Sequence, residues 1–554
     1  MALNIIPKPN GPVIIQPGAY PLPNPFDVEL GSFEAWCLEA FAQRVVAQPR
    51  FLGQQVKDGP DDAAADTQDG IPSVRLERVA TMPDEAYHLA VNIDGIIIKA
   101  ASERAVVWAL TTLAESMNPG RSFPLFSVED APRYRHRGQM LDCARHFFPV
   151  AQVKKIIEQL ARIKMNVLHW HLSDDQGWRI ESRSFPLLHE KCPAYYTQDE
   201  IGEVLEYARI RGVEIIPEID MPGHVLGFLT AYPQYSCRGR EVSYATSGGI
   251  YSTVLCPGNE DVFSFLEKLL AEVCALFPSP RFHVGGDETP KKEWRACPRC
   301  RQRMDAEGLE DWSDLQGYFS LRVAAILKKY GKQALFWNDA LKAQNVPGDS
   351  PPDMAVQYWI PQYTEAMQRY AAGGGAYVYS NMFQLYFDYP HAMLPLKKVY
   401  KSRQRIGCRD CGLDAGLLGI ESCMWTEHVA DGGRLEALLF PRVLAVAELG
   451  WSKEYAYKDF LCRLRPKIDR LMSADVSVTP LEEANPGGKA RRKEAIGFML
   501  GMADTMPADV RKESMETASD DLGAGFMRQF VRQFLRLSDL PFLLRALRKS
   551  GYLR

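Results

Sequence analysis

The stretch Arg281-Phe282-His283-Val284-Gly285-Gly286-Asp287-Glu288 is a short apolar strand followed by two glycines and two adjacent carboxylates. The glycines remove side-chain bulk where another molecule could approach the backbone. Adjacent carboxylates repel each other, which tends to raise one of their two pKa values. One protonated carboxyl beside one ionised carboxyl suits an acid catalyst with an electrostatic partner. An isolated Asp-Glu pair is more often a solvated loop, so the surrounding pattern decides between the two interpretations.

Composition places the chain among ordinary globular proteins. Its 554 residues are enough for two or three domains. Hydrophobic residues make up 46% of the chain and charged residues 24%. The net charge of -4 favours neither nucleic acid nor an anionic membrane as a partner. The N-terminus shows no basic region followed by an apolar run, and no 18-residue apolar stretch occurs. The twelve cysteines are scattered, several in apolar runs, which suits a reducing compartment. These observations predict a cytoplasmic protein.

A regular alternation of short apolar strands and amphipathic helices begins at Gly138. The eight strand candidates are residues 139–143, 166–171, 213–218, 282–285, 333–337, 354–359, 376–380 and 418–424. Helical spacing fills most of the intervals, for example at 153–163 and 198–211. Eight β/α units in about 315 residues favour an α/β fold of the (β/α)8 TIM-barrel type. A doubly wound open sheet is the alternative, but no G-x-G-x-x-G turn follows the first strand.

The barrel pattern is flanked by two segments of different character. Residues 1–128 predict a small α+β domain, with helices at 32–46 and 101–116 and a hairpin at Asp94-Gly95. A proline-containing linker is predicted at 118–132. The barrel domain then occupies 129–452, and 453–554 is predicted to be a mainly helical C-terminal region. The amphipathic helix predicted at 524–537 favours packing on the barrel or on a second subunit over contact with nucleic acid or membrane. A homodimer is therefore kept as an alternative to a monomer.

Polar and aromatic residues collect at the C-terminal ends of the predicted strands. They are Asp142, Arg145, His171, Asp174, Asp175, Glu218, Asp220, His224, Asp287, Glu288, Trp337, Asp339, Trp359, Trp425 and Glu427. The catalytic residues of such barrels lie where strands end and βα loops begin. This alignment favours the catalytic interpretation of Asp287 and Glu288 over the solvated loop.

The tryptophans indicate a carbohydrate pocket. Trp337, Trp359 and Trp425 would offer flat apolar walls to sugar rings, and Arg145, Asp388 and Glu427 would hold hydroxyl groups. Such a pocket predicts glycoside hydrolysis. Two-carboxylate glycosidases hold their carboxyl groups several ångströms apart, a geometry that adjacent residues suit poorly. The pair fits better with substrate assistance, an established exception in which a 2-acetamido group of the sugar attacks the anomeric carbon. A two-carboxylate β-glycosidase on the same barrel and a non-catalytic carbohydrate-binding protein remain as alternatives.

Five stretches resemble one known family, glycoside hydrolase family 20, the β-N-acetylhexosaminidases. They are 137–150 (RGQMLDCARHFFPV), 164–179 (KMNVLHWHLSDDQGWR), 217–224 (PEIDMPGH), 283–288 (HVGGDE) and 424–427 (MWTE). They occur in the family's order and cover roughly residues 130–452. The α+β segment before them is similar to the domain that usually precedes this barrel. The resemblance implies an exo-acting, retaining enzyme that removes terminal β-linked GlcNAc or GalNAc from glycans without a cofactor.

The resemblance also implies roles for individual residues. Glu288 would be the general acid and then the base that activates water. Asp287 would orient the acetamido nitrogen and stabilise an oxazolinium-like intermediate, while Tyr386 would bond the acetamido oxygen. The remaining implied roles are hydroxyl binding by Arg145, Asp388 and Glu427, a box formed by Trp337, Trp359 and Trp425, and tuning of Glu288 by Asp174 and His224. The family often has a further tryptophan after the Tyr-x-Asp element, but residues 389–397 of this chain contain none.

Two C-x-x-C pairs, Cys297/Cys300 and Cys408/Cys411, form a separate motif. Four thiolates from two such pairs can close a structural zinc site. The interval between the pairs is far longer than in a single zinc module. We therefore predict free surface thiols or a redox pair ahead of zinc, and no metal in the chemistry.

Overall fold

A closed barrel of eight parallel strands forms the centre of the molecule in a computed structural model, which describes residues 3–51, 72–118, 120–346, 354–406, 415–522 and 526–549. The barrel strands are β8 (His136–Asp142), β9 (Val167–His171), β12 (Glu214–Glu218), β13 (Arg281–His283), β14 (Gln333–Trp337), β15 (Met354–Tyr358), β16 (Ala376–Tyr379) and β17 (Leu417–Met424). A two-stranded ribbon, β10 (Ser173–Asp174) and β11 (Gly177–Trp178), follows β9. The predicted barrel is confirmed, and the open-sheet alternative is wrong because β17 pairs with β8.

The closed barrel buries its strands on both faces. Every residue of β8 and of β9 is buried, as expected for parallel strands covered by helices. The barrel helices are α3 (Val150–Ala161), α4 (Leu187–Glu190), α5 (Gln198–Arg209), α6 (Leu226–Leu229), α7 (Glu260–Leu276), α8 (Lys292–Ala296), α9 (Pro298–Glu307), α10 (Trp312–Lys329), α11 (Thr364–Ala372), α12 (Met382–Leu385), α13 (Leu396–Lys401), α14 (Gly432–Leu439) and α15 (Arg442–Trp451). Local sequence fixes where they begin: α5 starts at a capping box formed by Thr197 and Glu200.

The N-terminal domain is a seven-stranded sheet with helices against it. Its strands are β1 (Ile14–Pro21), β2 (Phe26–Glu29), β3 (Pro49–Phe51), β4 (Val74–Arg78), β5 (Tyr87–Asn92), β6 (Gly95–Ala100) and β7 (Ser122–Asp130), and its helices are α1 (Glu39–Val45) and α2 (Glu103–Glu115). They follow the order β1-β7-β5-β6-β4-β2-β3. The linker predicted at 118–132 is therefore wrong, since β7 lies between β1 and β5. In β7 the buried Phe123 and Leu125 flank Pro124. Proline is uncommon inside strands, and for this reason the sequence did not predict β7.

A buried ion pair joins this domain to the barrel. The Arg137 guanidinium of β8 lies 2.5 Å from the Glu85 carboxylate. The guanidinium carbon of Arg137 lies 5.7 Å from the ring centroid of Trp108 and 5.0 Å from that of Trp451. Both charged groups are buried, so removing one partner would leave an uncompensated charge. The contact holds the start of the barrel against the sheet domain.

The C-terminal region is helical, as predicted. Its helices are α16 (Tyr457–Ser473), α17 (Leu481–Ala484), α18 (Gly488–Asp504), α19 (Ala508–Leu522), α20 (Phe526–Phe534) and α21 (Leu540–Lys549). Phe534 of α20 packs 5.4 Å from the ring of Phe383 and 4.7 Å from the ring of Tyr389. The amphipathic helix thus covers the barrel. Among the described residues, no helix is long and apolar enough to span a membrane.

Candidate active site

The glycine pair after β13 allows two loops to meet at the strand ends. Gly285 and Gly286 have φ values of +70° and +91°, which residues other than glycine rarely adopt. A Cβ atom on Gly285 would lie 1.8 Å from Oδ1 of Asp220. The N–H of Gly286 donates a 2.9 Å hydrogen bond to the same oxygen. The glycines therefore serve this close approach of the loop after β12.

The variant Gly285→Ala is expected to destabilise the folded protein by about 3 kcal/mol or more, because it combines left-handed strain with a clash against a buried carboxyl. Thermal unfolding and hydrolytic activity would measure the loss. Gly308→Ala is the matched control, since Gly308 has a φ of +63° but a Cβ atom there would meet no other atom within 4 Å. It should cost about 1 kcal/mol, and equal losses in the two variants would contradict the clash.

Asp287 is a buried carboxyl with one unsatisfied oxygen. Burial, together with repulsion from Glu288, raises its pKa to about 6, although the nearby His224 lowers it. Asp220 hydrogen bonds to it, and burial beside Asp287 raises the pKa of Asp220 well above its usual range. The proton of this pair therefore resides on Asp220, which can donate to an ionised Asp287. The Oδ1 atom of Asp287 has no partner among the described residues, so an incoming N–H can bond to it.

Glu288 is more accessible and is connected to a chain of buried groups. Its side chain is 27% exposed, and its Oε2 lies 3.7 Å from Nε2 of His224. The other ring nitrogen of His224 lies 3.2 Å from Asp174 and 3.4 Å from Asp175. Burial alone would lower the pKa of His224, but the Asp174 carboxylate raises it well above its usual range. His224 and Asp174 thus lie beside Glu288 in the order expected, and their tuning role stays a prediction. The Glu288 N–H donates to Asp339 at 3.3 Å, which orients the backbone.

Arg145 links the two sides of the site. One of its terminal nitrogens lies 2.7 Å from Oδ2 of Asp174 and 4.0 Å from Oε1 of Glu427. His171 contacts the same Asp174 oxygen at 2.8 Å. These cations hold the pKa of Asp174 well below its usual range against the opposing effect of burial. The Nε atom of Arg145 is buried without a partner among the described residues and can serve a ligand.

The predicted aromatic residues form one continuous wall. Trp425 lies with its ring centroid 5.8 Å from Trp337 and 6.1 Å from Tyr386. Trp359 stacks on Tyr386 at 6.1 Å with an angle of 12° between the ring planes. Trp337 donates a 3.0 Å hydrogen bond to Glu218, which fixes its orientation. Trp425 is the partly exposed member of this wall, whereas Trp337, Trp359 and Tyr386 are buried behind it.

Asp388 and Glu427 bring a second pair of acids to the pocket. Burial and repulsion from Glu427 raise the pKa of Asp388 well above its usual range, and its Oδ1 lacks a partner among the described residues. Tyr389, which sequence reasoning did not select, stacks at 6.5 Å on Tyr386. Its position directly after Asp388 in the sequence could have indicated that it lies near the site. Tyr389 lies in the segment without the family's further tryptophan, but it is buried against Phe534 of the C-terminal region.

A buried network of charged groups underlies the pocket and was not predicted. Glu218 lies 3.1 Å from His169 and 2.8 Å from His283, and Glu421 lies 2.9 Å from His169. Burial opposes protonation of His169, but the two carboxylates raise its pKa to about 9. Barrel interiors are usually filled by branched apolar residues, so the charged interior gave no periodicity to recognise. The network holds Glu218, and through it Trp337, in place.

The C-x-x-C prediction needs correction. Cys297 and Cys300 are buried, so the surface-thiol prediction is wrong for this pair. Cys408 and Cys411 lie outside the described residues. Cys297 and Cys300 instead converge with Cys237 and Cys256, which the sequence reasoning did not select because neither belongs to a short motif.

Comparison with known proteins assigns the chain to a family. The sequence model described as glycosyl hydrolase family 20, catalytic domain, matches residues 134–454. The chain belongs to glycosyl hydrolase family 20. A second sequence model, described as glycosyl hydrolase family 20, domain 2, matches residues 2–131 of the hydrolase. The resemblance of the sequence motifs to the family is thereby confirmed.

Relatives of the family 20 hydrolase are similar over most of the chain. The beta-hexosaminidase of Vibrio furnissii is 34% identical over 419 residues, covering 69% of this chain and 67% of the relative. The beta-hexosaminidase of Porphyromonas gingivalis is 32% identical over 463 residues, covering 75% of this chain. The chain spans 57% of the length of that relative.

Solved structures of related enzymes share the fold. The beta-N-acetylhexosaminidase from Bacteroides fragilis is similar with a TM-score of 0.77 and 27% identity, covering 88% of this chain and 99% of that chain. The exo beta-N-acetylglucosaminidase from Vibrio harveyi, solved in complex with N-acetylglucosamine, has a TM-score of 0.74 and 28% identity, covering 87% and 79%. The family 20 hydrolase therefore shares both its barrel and its preceding domain with them.

Proposed function

We propose that this glycoside hydrolase is an exo-acting, retaining β-N-acetylhexosaminidase that removes terminal β-linked GlcNAc or GalNAc by substrate-assisted catalysis. The observation that carries the proposal is the adjacent Asp287 and Glu288 at the mouth of an aromatic box. One carboxyl is buried with a free acceptor oxygen, and the other is accessible and linked to an imidazole. Two other buried acids near this pair are already ion-paired, Glu218 with His171 and Asp174 with Arg145, which leaves Asp287 and Glu288 to act on the ligand.

The arrangement supports a two-step reaction. The carbonyl oxygen of the 2-acetamido group attacks the anomeric carbon as Glu288 protonates the departing glycosidic oxygen. Asp287 accepts the acetamido N–H and offsets the positive charge that develops on the oxazolinium ring. Glu288, now ionised, takes a proton from water, which attacks the anomeric carbon and restores the acetamido group. Two inversions give net retention of configuration.

Unsatisfied buried atoms support a polar ligand of this kind. Asp287 Oδ1, Asp388 Oδ1, Arg145 Nε and His224 Nε2 are buried without hydrogen-bond partners among the described residues. Such atoms are costly unless a ligand or water satisfies them. Two acceptors and a guanidinium donor beside an apolar wall match an amide and ring hydroxyls. Substrate binding by Arg145, Asp388 and Glu427 is part of the proposal.

Hydrolysis of p-nitrophenyl β-GlcNAc, β-GalNAc and β-glucose tests the proposal. We expect turnover of at least one acetamido sugar and at least about 10³-fold lower kcat/KM for the glucoside, which lacks the internal nucleophile. The first-formed anomer, followed by NMR, should be β. Comparable turnover of the glucoside would indicate a two-carboxylate β-glycosidase, and sugar binding without turnover would indicate a binding protein.

The pKa of Asp287 predicts an acidic limb in the pH profile. The carboxylate form is required to offset positive charge, and its pKa is raised to about 6 by burial. We therefore expect kcat/KM to rise with pH through about 6 and to fall about tenfold for each unit below it. Initial rates in overlapping buffers would measure the limb, with folding checked at each pH. A limb centred below 4 would contradict the assigned environment.

A cytoplasmic location and a homodimer remain predictions. The scattered cysteines favour the cytoplasm, where short oligosaccharides would be the substrates, and a homodimer stays open. Cell fractionation with activity staining checks the location. Light scattering of the purified protein checks the oligomeric state.

A further inference from the structure

Four cysteine sulfurs converge on one point beside the catalytic loop. The Sγ atom of Cys300 lies 3.7 Å from that of Cys237 and 3.6 Å from that of Cys256, and Cys256 lies 3.8 Å from Cys297. All four sulfurs lie within 4.8 Å of one another. They come from three separate parts of the chain: Cys237 follows the 3-10 helix Pro233–Tyr235, Cys256 precedes α7, and the C-x-x-C pair begins α9.

The spacing of the sulfurs fits a tetrahedral metal site. Zinc bound by four thiolates has Zn–S distances of about 2.3 Å, so the edges of the tetrahedron are about 3.8 Å. The three measured separations fall at this value. A disulfide requires sulfurs about 2.05 Å apart, and these four cysteines form none. Thiols that serve only as small apolar groups have no reason to converge from three segments.

The surroundings suit a cluster of thiolates. The N–H of Gly258 donates a hydrogen bond to the sulfur of Cys300, and the Arg299 guanidinium bonds to the sulfur of Cys297. Such outer contacts orient metal ligands and offset their negative charge. Trp294, Met304 and Leu315 pack around the cysteines and limit the access of solvent.

We propose that Cys237, Cys256, Cys297 and Cys300 bind one structural zinc ion. Four protein ligands leave no open position, so the ion would hold the fold together and take no part in the chemistry. This ligand set replaces the pairing of Cys297/Cys300 with Cys408/Cys411 that was considered from the sequence.

The zinc site fastens one wall of the pocket. It ties both ends of segment 237–256 to α9, which begins ten residues after Glu288. Within this segment the N–H of Ala245 donates to the carbonyl of Asp175 at 2.8 Å, and Gln176 donates to the carbonyl of Ser247 at 2.7 Å. A Cβ on Gly248 would lie 3.2 Å from the side chain of Glu427. Loss of the metal should therefore loosen substrate binding before it alters the chemical step.

Elemental analysis of the full chain, purified without chelator and dialysed against metal-free buffer, tests the proposal. We expect about one zinc per chain. Titration with a mercurial should release this zinc to a chromogenic indicator and lower the unfolding temperature. Near-zero zinc, iron in its place, or a mass that reveals disulfides among these cysteines would overturn the proposal. None of these readouts depends on activity, so they remain informative if the proposed function fails.

Matched cysteine variants localise the metal. Cys300→Ser should reduce zinc to less than about one tenth per chain, whereas Cys462→Ser, which changes an exposed thiol, should retain it. In soluble Cys300→Ser protein we expect KM to increase more than kcat decreases. If that variant fails to fold, mercurial release from wild type and from Cys462→Ser decides the question. Full zinc content in Cys300→Ser would contradict the assignment.

Discussion

Asp287→Asn is expected to lower kcat for p-nitrophenyl β-GlcNAc by about 10²- to 10³-fold, equivalent to about 3–4 kcal/mol of transition-state stabilisation. The substitution keeps the size of the side chain but removes the charge that offsets the oxazolinium ion. Because most of this charge develops in the transition state, KM should change much less than kcat. Steady-state kinetics on the acetamido substrate measure both parameters. A kcat near that of wild type would contradict the role of Asp287.

The same substitution should stabilise the fold at neutral pH. The pKa of Asp287 is about 6 in the folded protein and about 3.9 when unfolded. A raised carboxyl pKa gives stability that is fully present below about 3.9 and is lost as pH rises through about 6. At pH 7 to 8 the buried carboxylate therefore costs about 3 kcal/mol, which asparagine avoids.

Thermal unfolding at two pH values checks this reversal. Asp287→Asn should melt several degrees above wild type at pH 7.5 and close to wild type near pH 4. Asp305→Asn, a change at an exposed position of α9, should match wild type in both stability and activity. A less stable Asp287→Asn protein at pH 7.5 would show that its carboxylate is well solvated or better paired than the structure indicates.

Glu288→Gln is expected to lower kcat/KM for p-nitrophenyl β-GlcNAc by about 10³-fold, because glutamine cannot donate the proton that the departing oxygen requires. The loss should depend on the leaving group. A dinitrophenyl glycoside departs with little protonation, so its kcat/KM should fall by about tenfold or less. A plot of log kcat/KM against leaving-group pKa should be steeper for the variant than for wild type.

Equal losses for both leaving groups would sink the acid role and would leave Glu288 as a binding or structural residue. The control is Glu307→Gln on the surface of α9, which should reproduce the wild-type plot. Circular dichroism of each variant confirms that the comparison is between folded proteins. This test separates proton donation from charge stabilisation, which the Asp287 variant probes.

The barrel and its strand-end residues were predictable because their physical causes are local. Each barrel strand is a short apolar run bounded by turns, and the polar residues follow the runs in sequence. Alternating apolar residues located β5 and β6, and the turn signal Asp94-Gly95 located the hairpin that joins them. The roles of Asp174, His224 and Tyr386 required the family resemblance, because nothing in the sequence states which side chains face each other.

The missed features depend on contacts between distant segments. Because of Pro124, the sequence predicted a linker where β7 lies. The pairing of β7 with β1 and β5, which stabilises it as a strand, is visible only in the folded sheet. Glu218, His283 and their partners form ion pairs between neighbouring strands inside the barrel, which no period of two or 3.6 residues reveals. Cys237 and Cys256 meet the C-x-x-C pair only after α7 and its flanking loops fold.

The adjacency of Asp287 and Glu288 limits how this enzyme can evolve. Their relative position is set by a single peptide unit and by the positive φ of Glu288, +46°, so loop rearrangement cannot move them apart. A descendant acting on sugars without the acetamido group would need a carboxylate recruited to another strand. New specificity should therefore arise on the leaving-group side of the pocket, where loop sequences can drift while the reaction stays the same.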